Sequence, residues 1–526
     1  MLESLPEAIR CFSPISVVEG FRIRFSPTKS PAFFAHSGYT LGEPLSLNFV
    51  RVSFFSFYST RSLHFVGIGG IGMSGIAEIL HNQGYAVRGS DASENANVRR
   101  LRALGIPITI RHDEKNIRGV QALVVSSAIS ETNSEVVAAR HYGIPIITRG
   151  EMLAEIMRSQ KSIAISGTHG KTTTTSLIAS LLSEARLDPT VINGGILNTY
   201  QTNARLGTGE WIVAEADESD GSFLKLPSII HVVTNIDPEH MSYYKTEENL
   251  ENAFRQFVRN LPLYGLAVLC WDHPRVRKVF SQKVDRRFVT YGLEGAPHFK
   301  AQNIRPNAGG TLFDILITRD IPLMLSPSGP GITPSRVIED IFIPMFGNHN
   351  ILNALAALAV AFELNIAPEI CRTGLKKFQG VKRRFTLLGN KEGRTFVDDY
   401  AHHPEEIRAV LQAARQTPAA RVVAVFQPHR YSRLSHLFDA FVDVLKGMDG
   451  VIIMPIYAAG EAPLEGYTPE ALAARLQEEG CKNVFCAKDA EDLAKILKKE
   501  TKEGDCVLGL GAGSISDMMA KIYEEF

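Results

Sequence analysis

The residues best suited to chemistry stand together in one stretch, where an apolar run passes into two glycines, a lysine and five threonines. It reads I-A-I-S-G-T-H-G-K-T-T-T-T over residues 163–175. Gly167 and Gly170 permit a tight turn whose backbone N–H groups can face a polyphosphate, and Lys171 adds a positive charge. The Thr172 hydroxyl can ligate Mg²⁺. For His169, a loop histidine without chemistry is an equally good interpretation. The predicted phosphate-binding residues are Gly167, Thr168, His169, Gly170, Lys171, Thr172 and Thr173.

A second glycine-rich turn lies nearer the N-terminus. The buried run at residues 63–66 leads into G-I-G-G-I-G, in which Gly67, Gly69 and Gly72 satisfy the dinucleotide-binding fingerprint. Asp91 ends the next predicted strand, about where a ribose contact would lie. Taken alone, this pattern favours NAD. Any ligand with a pyrophosphate would suit the same helix N-terminus, so we predict a nucleotide-diphosphate site at Gly67, Gly69, Gly70, Gly72, Asp91 and Ser126.

Two clusters of acidic residues follow predicted strands. E-A-D-E-S-D begins at Glu215 after the strand at residues 211–214, and D-P-E-H ends at His240 after the strand at residues 229–233. In a sheet that carries a phosphate-binding loop, a magnesium-binding acid belongs at such strand ends. Charge clusters at turns are usually just solvated, so about half of these carboxylates can be read as exposed loop residues.

Composition excludes several classes of function. The chain has 526 residues, too many for one core, and 56 basic residues balance 56 acidic ones. No overall field attracts nucleic acid or an anionic membrane. The six cysteines have neither zinc-site nor disulfide-framework spacing, and no apolar run approaches the ~20 residues that span a bilayer. We therefore expect a soluble cytoplasmic protein that binds neither nucleic acid nor membrane.

The elements that must position these residues alternate between strands and helices, which predicts an α/β protein. Further strands are predicted at residues 122–125, 144–148, 312–317, 422–426, 451–454 and 507–510. Residues 1–62 lack a sustained period and are interpreted as a leader without assigned function. The Pro/Gly/Ser-rich loop at residues 326–335 is interpreted as a surface insertion. The predicted domains are 63–158, 159–381 and 382–526.

The strings G-T-H-G-K-T-T, N-I-D-P-E-H and G-N-H-N-I-L-N resemble those of the Mur ligase family, ATP-dependent enzymes that build the peptide of bacterial peptidoglycan. The first string is shorter than the full G-x-x-x-x-G-K-[ST] pattern, since Ile165 stands where the first glycine would be. The resemblance begins near Leu63 and runs to the C-terminus. It implies a Rossmann-like N-terminal domain for a UDP-sugar, a central P-loop ATPase-like domain and a Rossmann-like C-terminal domain for an amino acid.

The resemblance also assigns roles to residues. It makes Thr172, Glu215 and His240 the metal ligands, and Lys171, Glu215 and His240 the catalytic group. It gives the adenine to His349 and Asn350, and the nucleotide a further contact from Asp398 or Asp399. It implies an amino-acid pocket formed by Tyr400, His402, His429, Arg430 and Arg433. Arginine suits that pocket because its planar fork can grip a carboxylate with two hydrogen bonds.

Within the family, E-A-D-E-S-D-G-S-F and Q-P-H-R-Y-S-R are most similar to the branch that joins L-alanine to UDP-N-acetylmuramate through an acyl phosphate, with ATP and Mg²⁺. Three alternatives remain open. One is the branch that attaches an intact tripeptide to the same nucleotide sugar. Another is an NAD-dependent dehydrogenase, which leaves Lys171, Glu215 and His240 unexplained. The third is a nucleotide-binding regulator without catalysis. We expect a monomer or a weak homodimer.

Overall fold

The computed structural model describes residues 61–126, 128–199, 202–281, 284–307, 309–318 and 336–526. The predicted leader lies outside them apart from its last two positions, and the loop at 326–335 lies wholly outside them. The described chain forms three sheets of five, ten and six strands, with helices packed on them. The predicted α/β class is thereby confirmed.

The first sheet is wholly parallel, in the order β3-β2-β1-β4-β5. The central strand β1 is an apolar run that helices cover, as expected for a parallel sheet. The predicted strands at residues 63–66 and 122–125 are confirmed. The elements are β1 (Ser62–Val66), α1 (Ile71–Asn82), β2 (Ala86–Asp91), α2 (Ala96–Ala103), β3 (Ile108–Ile110), a 3₁₀ turn (Glu114–Ile117), β4 (Ala122–Val125), α3 (Ser134–His141), β5 (Ile146–Thr148) and α4 (Arg149–Arg158).

The second sheet has the order β15-β14-β13-β12-β11-β10-β6-β9-β7-β8, parallel from β13 to β7 and antiparallel at both edges. Its elements up to β10 are β6 (Lys161–Ser166), α5 (Lys171–Glu184), β7 (Thr190–Leu197), β8 (Thr202–Arg205), β9 (Trp211–Glu215), a 3₁₀ turn (Ser222–Lys225) and β10 (Ile230–Val233). Because β9 and β10 flank β6, both acidic clusters emerge beside the phosphate-binding loop.

The rest of this sheet and its helices follow in the chain. They are α6 (Met241–Tyr244), α7 (Glu247–Arg259), β11 (Leu266–Cys270), α8 (Pro274–Phe280), β12 (Arg287–Gly292), β13 (Phe299–Asn307), β14 (Gly310–Ile317), β15 (Arg336–Ile343), α9 (Asn348–Glu363) and α10 (Pro368–Lys376). Helix α9 is buried almost all round, which explains its nearly continuous apolar sequence. It packs against α5 and against β11 to β13.

The third sheet has the order β16-β17-β21-β18-β19-β20, parallel except for the edge pair β16–β17. Its predicted strands at residues 422–426, 451–454 and 507–510 are confirmed to within a residue or two. The elements are β16 (Thr386–Lys391), β17 (Arg394–Asp399), α11 (Pro404–Arg415), β18 (Arg421–Phe426), α12 (Tyr431–His436), α13 (Phe438–Leu445), β19 (Gly450–Ile453), α14 (Pro469–Glu478), β20 (Val484–Cys486), α15 (Ala490–Glu500), β21 (Asp505–Leu510) and α16 (Ile515–Glu525).

The three sheets are not joined in the same way. One apolar core runs from the first sheet into the second, where α1 packs on β7 and β8. The cores of the third sheet contain only its own residues, and its contacts with the second sheet include polar ones. One such contact is the hydrogen bond from the Gly347 N–H to Gln416 Oε1, at 2.8 Å. None of the described helices is long and apolar enough to cross a membrane.

Candidate nucleotide and acceptor site

The phosphate-binding loop joins the end of β6 to the start of α5, and its two glycines are required by geometry. Gly167 has φ +136° and Gly170 has φ +81°, both in the region that favours glycine. A Cβ on Gly167 would lie 2.1 Å from Thr234 Oγ1, and one on Gly170 would lie 2.6 Å from Asn353 Oδ1. The loop therefore packs its backbone closely against β10 and α9. We call residues 167–173 the ATP loop.

Lys171 is held inside this loop. Its Nζ donates to the carbonyl oxygens of Gly167 (2.5 Å) and Thr168 (3.1 Å) and lies 2.9 Å from the carboxylate of Glu218. Burial by itself would lower the pKa of Lys171, but the charges of Glu218, Glu215 and Asp217 raise it above its ordinary value. The side chain of Glu218 is 1% exposed. The lysine is therefore a fixed positive charge whose counter-ion is Glu218, one of the clustered acids that the sequence does not distinguish from exposed loop residues.

The structure brings together two of the three predicted metal ligands. Thr172 Oγ1 donates to Glu215 Oε2 at 2.9 Å, and the Gly194 N–H donates to the same oxygen at 2.8 Å. A Cβ on Gly194 would lie 2.7 Å from the Glu215 carboxylate. A hydroxyl and a carboxylate beside a phosphate-binding loop are the hard oxygen ligands that Mg²⁺ prefers, with water and phosphate completing its shell. These two residues fit the ion.

His240, the third predicted ligand, contacts other acids. Its Nε2 lies 3.6 Å from Glu218 Oε1 and 3.8 Å from Glu239 Oε2. Burial lowers the pKa of His240, but the hydrogen bond to Glu218 and its charge raise it above the ordinary value. A histidine must be neutral to bind a metal, so His240 would give up this proton. Within the part of the chain that the structure describes, there is no group of three or more His, Cys, Asp or Glu residues arranged to hold a metal.

The glycine turn of the first sheet lies at the carboxyl ends of its strands. The N–H groups of Gly67 and Ile68 donate to the Ser90 carbonyl oxygen, at 2.9 and 3.0 Å. Asp91 Oδ2 accepts from the Gly69 N–H at 2.8 Å. Asp91 thus braces the turn in addition to the ribose contact predicted for it. Gly70 is the N-cap of α1, and Ser126 lies against Gly67.

Arg149 connects this turn to the second sheet. The guanidinium donates to Asp217 Oδ2 at 3.1 Å, and a Cβ on Gly72 would lie 3.1 Å from Arg149 Cδ. One arginine at the start of α4 therefore lies between the diphosphate turn and the acids beside the ATP loop. The positive charge of Arg149 therefore lies between the glycine turn of the first sheet and Asp217 of the second.

The predicted adenine residues stand at the start of α9. His349 is partly buried, and desolvation together with the charge of Arg384 lowers its pKa to about 4, so its ring is neutral at neutral pH. Asn350 donates to the Phe346 carbonyl oxygen at 2.8 Å and accepts from Asn353 at 3.3 Å. Both amide side chains therefore have hydrogen-bonding partners. Asn350 does not cap the helix, because α9 begins at Asn348 with Gly347 as its N-cap.

The two aspartates that end β17 have different surroundings. Asp398 Oδ2 accepts from Ser516 Oγ at 2.6 Å and lies 4.0 Å from Arg383. Asp399 accepts from the backbone N–H groups of Phe385 and Ala401, and burial raises its pKa to about 6. Asp399 therefore stabilises the backbone next to the start of β16 and just after the end of β17.

The predicted amino-acid residues lie after two neighbouring strands of the third sheet, Tyr400 and His402 after β17, and His429, Arg430 and Arg433 in the loop after β18 and in α12. The ring centroids of His402 and His429 are 5.9 Å apart, and that of Tyr400 is 5.1 Å from His402. Arg433 Nη1 lies 3.2 Å from His429 Nδ1. Arg430 has φ +69°, a strained conformation for a non-glycine residue that is often found at functional sites. We call Tyr400, His402, His429, Arg430 and Arg433 the acceptor cluster.

Several residues of the site were not singled out from the sequence. Tyr457 stacks on His429 with ring centroids 5.4 Å apart, and its carbonyl oxygen accepts from the Arg430 N–H at 2.9 Å. Arg383 and Arg384 lie 4.8 and 5.4 Å from the Tyr400 ring centroid. No local motif marks Tyr457, which reaches the cluster only because its loop follows β19. The R-R-F string at residues 383–385 does not by itself indicate a contact with Tyr400.

The fold and these clusters define a class: a three-part α/β ligase, with a phosphate-binding loop in its central sheet and a separate acceptor cluster on its third. Comparison with known families agrees. Residues 62–161 match the Mur ligase family, catalytic domain; residues 165–361 match the Mur ligase middle domain; residues 383–513 match the Mur ligase, glutamate ligase domain. The chain belongs to the Mur ligase family.

Individual members of the family are similar to this chain over much of its length. The chain is 53% identical over 454 residues to the UDP-N-acetylmuramate--L-alanine ligase of Rhodospirillum rubrum, covering 86% of this chain and 92% of that protein. The solved UDP-N-acetylmuramate-alanine ligase MurC of Thermotoga maritima has a TM-score of 0.73 and 27% identity, covering 88% of this chain and 98% of that one. The UDP-N-acetylmuramate:L-alanyl-gamma-D-glutamyl-meso-diaminopimelate ligase of Neisseria meningitides has a TM-score of 0.54 and 25% identity, covering 62% and 100%.

Proposed function

We propose that this chain joins L-alanine to the lactyl carboxylate of UDP-N-acetylmuramate, converting ATP to ADP and phosphate, in peptidoglycan precursor synthesis. The observation that carries the proposal is the meeting of the ATP loop and the acceptor cluster across the second and third sheets. His169 Nδ1 of the ATP loop lies 3.3 Å from Glu406 Oε1, on the helix that follows His402. Two substrates that must meet at one γ-phosphate need this arrangement. The name of the relative at 53% identity supports the choice of substrates.

The chemistry divides into two steps. In the first, a lactyl carboxylate oxygen attacks the γ-phosphorus of ATP, the bond to the bridging oxygen breaks, and ADP leaves. Lys171 stabilises the charge on the transferred phosphoryl group, since its charged Nζ is already held in the loop by two carbonyl oxygens. When bound, Mg²⁺ neutralises charge on the phosphates, and Thr172, Glu215 and His240 are the residues proposed to hold it. The remaining proposed nucleotide contacts are the ATP loop, His349, Asn350 and Asp398.

In the second step the amine of L-alanine attacks the carbonyl carbon of the acyl phosphate. An amide forms, phosphate leaves with the bonding electron pair, and the amine loses a proton. Arg430 and Arg433 are proposed to grip the alanine carboxylate, with Tyr400, His402 and His429 shaping the pocket. Burial and the charges of His402 and Arg433 lower the pKa of His429 to about 4. The His429 ring is therefore uncharged at neutral pH and forms part of the pocket surface.

The experiment measures ADP release with UDP-N-acetylmuramate and one acceptor at a time. We expect L-alanine to be preferred, with leakage to glycine and serine because one methyl group distinguishes substrates by only ~1 to 3 kcal/mol. D-glutamate and the tripeptide should be rejected. Efficient use of the tripeptide would instead indicate the tripeptide-adding activity for which the Neisseria relative is named.

A variant tests the proposed carboxylate clamp. Arg433→Ala should raise the alanine KM by about tenfold to a hundredfold, since a hydrogen bond to a charged group contributes ~1.5 to 3 kcal/mol. Acyl phosphate formation, trapped with hydroxylamine, should persist because it does not involve the acceptor. Arg408→Ala is the matched control, since Arg408 is paired with Asp443 on the outside of α11. Equal loss of both steps in Arg433→Ala would contradict the clamp.

A further inference from the structure

Glu406 lies in the first turn of α11 and reaches two parts of the site at once. Its Oε2 accepts from the backbone N–H groups of His402 (3.0 Å) and His403 (3.2 Å). Its Oε1 lies 3.3 Å from Nδ1 of His169, which belongs to a different sheet and precedes Glu406 by 237 residues. A glutamate at this helix position normally completes a capping box, as Glu406 does. Only one oxygen is needed for that cap, so the contact to His169 is additional.

His169 is held rigidly from the other side. Its N–H donates to Asn235 Oδ1 at 2.7 Å, and its carbonyl oxygen accepts from Thr234 Oγ1 (2.6 Å) and Asn235 Nδ2 (2.9 Å). The backbone of His169 is thus tied to the end of β10, and only its imidazole extends to the third sheet. The imidazole of His169 is therefore fixed in position relative to the ATP loop.

The charges of the two groups favour the contact. Burial alone would raise the pKa of Glu406, but the hydrogen bond from His169 and the charges of His402, His169 and Arg384 hold it well below its usual value. Burial would lower the pKa of His169, but Glu406, Glu239 and Asp237 raise it. An ionised carboxylate faces a histidine that retains its proton more readily than usual, so their contact is a charged hydrogen bond.

A second, weaker contact runs parallel to the first. His403 Nε2 lies 3.8 Å from Glu239 Oε1, and the His403 and His169 ring centroids are 5.6 Å apart. The core of the second sheet contains no residue of the third sheet, so polar contacts of this kind contribute to the alignment between the ATP loop and the acceptor cluster.

We propose that Glu406 is a positioning residue that couples the ATP loop to the acceptor cluster, holding His169 with one carboxylate oxygen and the backbone of His402 and His403 with the other. This inference rests on the proposed function, because it assigns Glu406 to the second step. Losing the link leaves both substrate sites intact but lets the acceptor cluster drift from the γ-phosphate. Amide formation should suffer more than acyl phosphate formation.

The test compares Glu406→Gln with Glu405→Gln, which makes the same charge change one residue away, where Glu405 is exposed and contacts Arg408. A glutamine can still accept from the His402 and His403 N–H groups, so the helix cap survives while the charge on the His169 side is lost. Glu406→Gln should slow amide formation at least tenfold, with less than threefold change in acyl phosphate trapping, and Glu405→Gln should match the unmodified protein.

His169→Ala is the second variant, and it leaves the cap of α11 untouched. Because His169 is also a proposed nucleotide contact, this variant is compared through the ratio of amide formation to acyl phosphate trapping. That ratio should fall as it does in Glu406→Gln, and the double variant should lower it no further than the worse single one, since both substitutions break one link. A mere helix cap predicts instead that Glu406→Gln is neutral, or that the two defects multiply. Either result would overturn the proposal.

Unmodified protein, Glu406→Gln, His169→Ala and the double variant are also unfolded in urea, where non-additive shifts in the midpoint measure the His169–Glu406 contact without any turnover. If the unmodified protein does not use L-alanine, the proposed function is refuted but the contact is not. The urea unfolding measurements then test the His169–Glu406 contact by themselves. Additive midpoints in that cycle would overturn the coupling whatever the activity.

Discussion

Replacing Lys171 should damage both catalysis and folding, and the structure shows how to separate the two. Lys171→Ala removes the charge proposed to act on the γ-phosphate. It also removes the nearest cation from Glu218, whose side chain is 1% exposed and lies 2.9 Å from the Lys171 Nζ. The expectation from sequence alone is that this loop lysine can be lost without cost to the fold. The buried pair makes that expectation incomplete.

The loss of reaction rate and the loss of stability have different magnitudes. Loss of a positioned charge from a phosphoryl transition state costs ~3 to 4 kcal/mol, or a rate loss of about a thousandfold. Removing one partner of a buried ion pair costs ~3 to 5 kcal/mol of stability. We expect the lower end, about 3 kcal/mol, because His240 remains 3.6 Å from Glu218 and can share its charge.

The double variant Lys171→Ala with Glu218→Gln separates these effects. The neutral amide no longer needs a cation, so the unfolding free energy in urea should recover by about 2 kcal/mol relative to Lys171→Ala, within the penalty of an unpaired buried charge. ADP release should not recover. Turnover restored in the double variant would refute the phosphate role of Lys171, since only stability would have been at stake. Equal urea midpoints for Lys171→Ala and the unmodified protein would refute the buried-pair argument.

Two further predictions concern the metal and the core. Glu215→Ala should raise the Mg²⁺ concentration needed for half-maximal ADP release about tenfold or more, whereas Asp237→Ala, which removes a contact to His273, should not; the reverse order would refute the ligand assignment. His231 is buried against Phe257, and burial lowers its pKa to about 3. Its unfolded pKa is ~6.5, so the unfolded state binds the proton first and stability falls as the pH drops below 6.5. Between pH 7 and 5 the unmodified protein should lose about 2 kcal/mol more than His231→Phe in urea unfolding, and parallel pH curves would contradict the buried neutral histidine.

Much of the fold and part of the site could be predicted from local sequence. The strands at residues 63–66, 122–125 and 211–214 were readable because a parallel strand covered on both faces is a short apolar run bounded by turn residues. The glycines of the ATP loop were readable because positive φ and close backbone approach leave no alternative residue. Glu215 could be singled out because it stands at the carboxyl end of a strand, where it is the last residue of β9.

Partners distant in sequence were decided by the tertiary structure. Glu218 follows Lys171 by 47 residues and Glu406 follows His169 by 237. Nothing in either string distinguishes Glu218 from Asp217, or Glu406 from Glu405. Local sequence determines backbone conformation and burial, and hence the strands and the glycine turns. Which acid meets which base depends on the order of strands in the sheet and the packing of one sheet on another, because charges separated in the chain interact only where the fold brings them within a few ångströms.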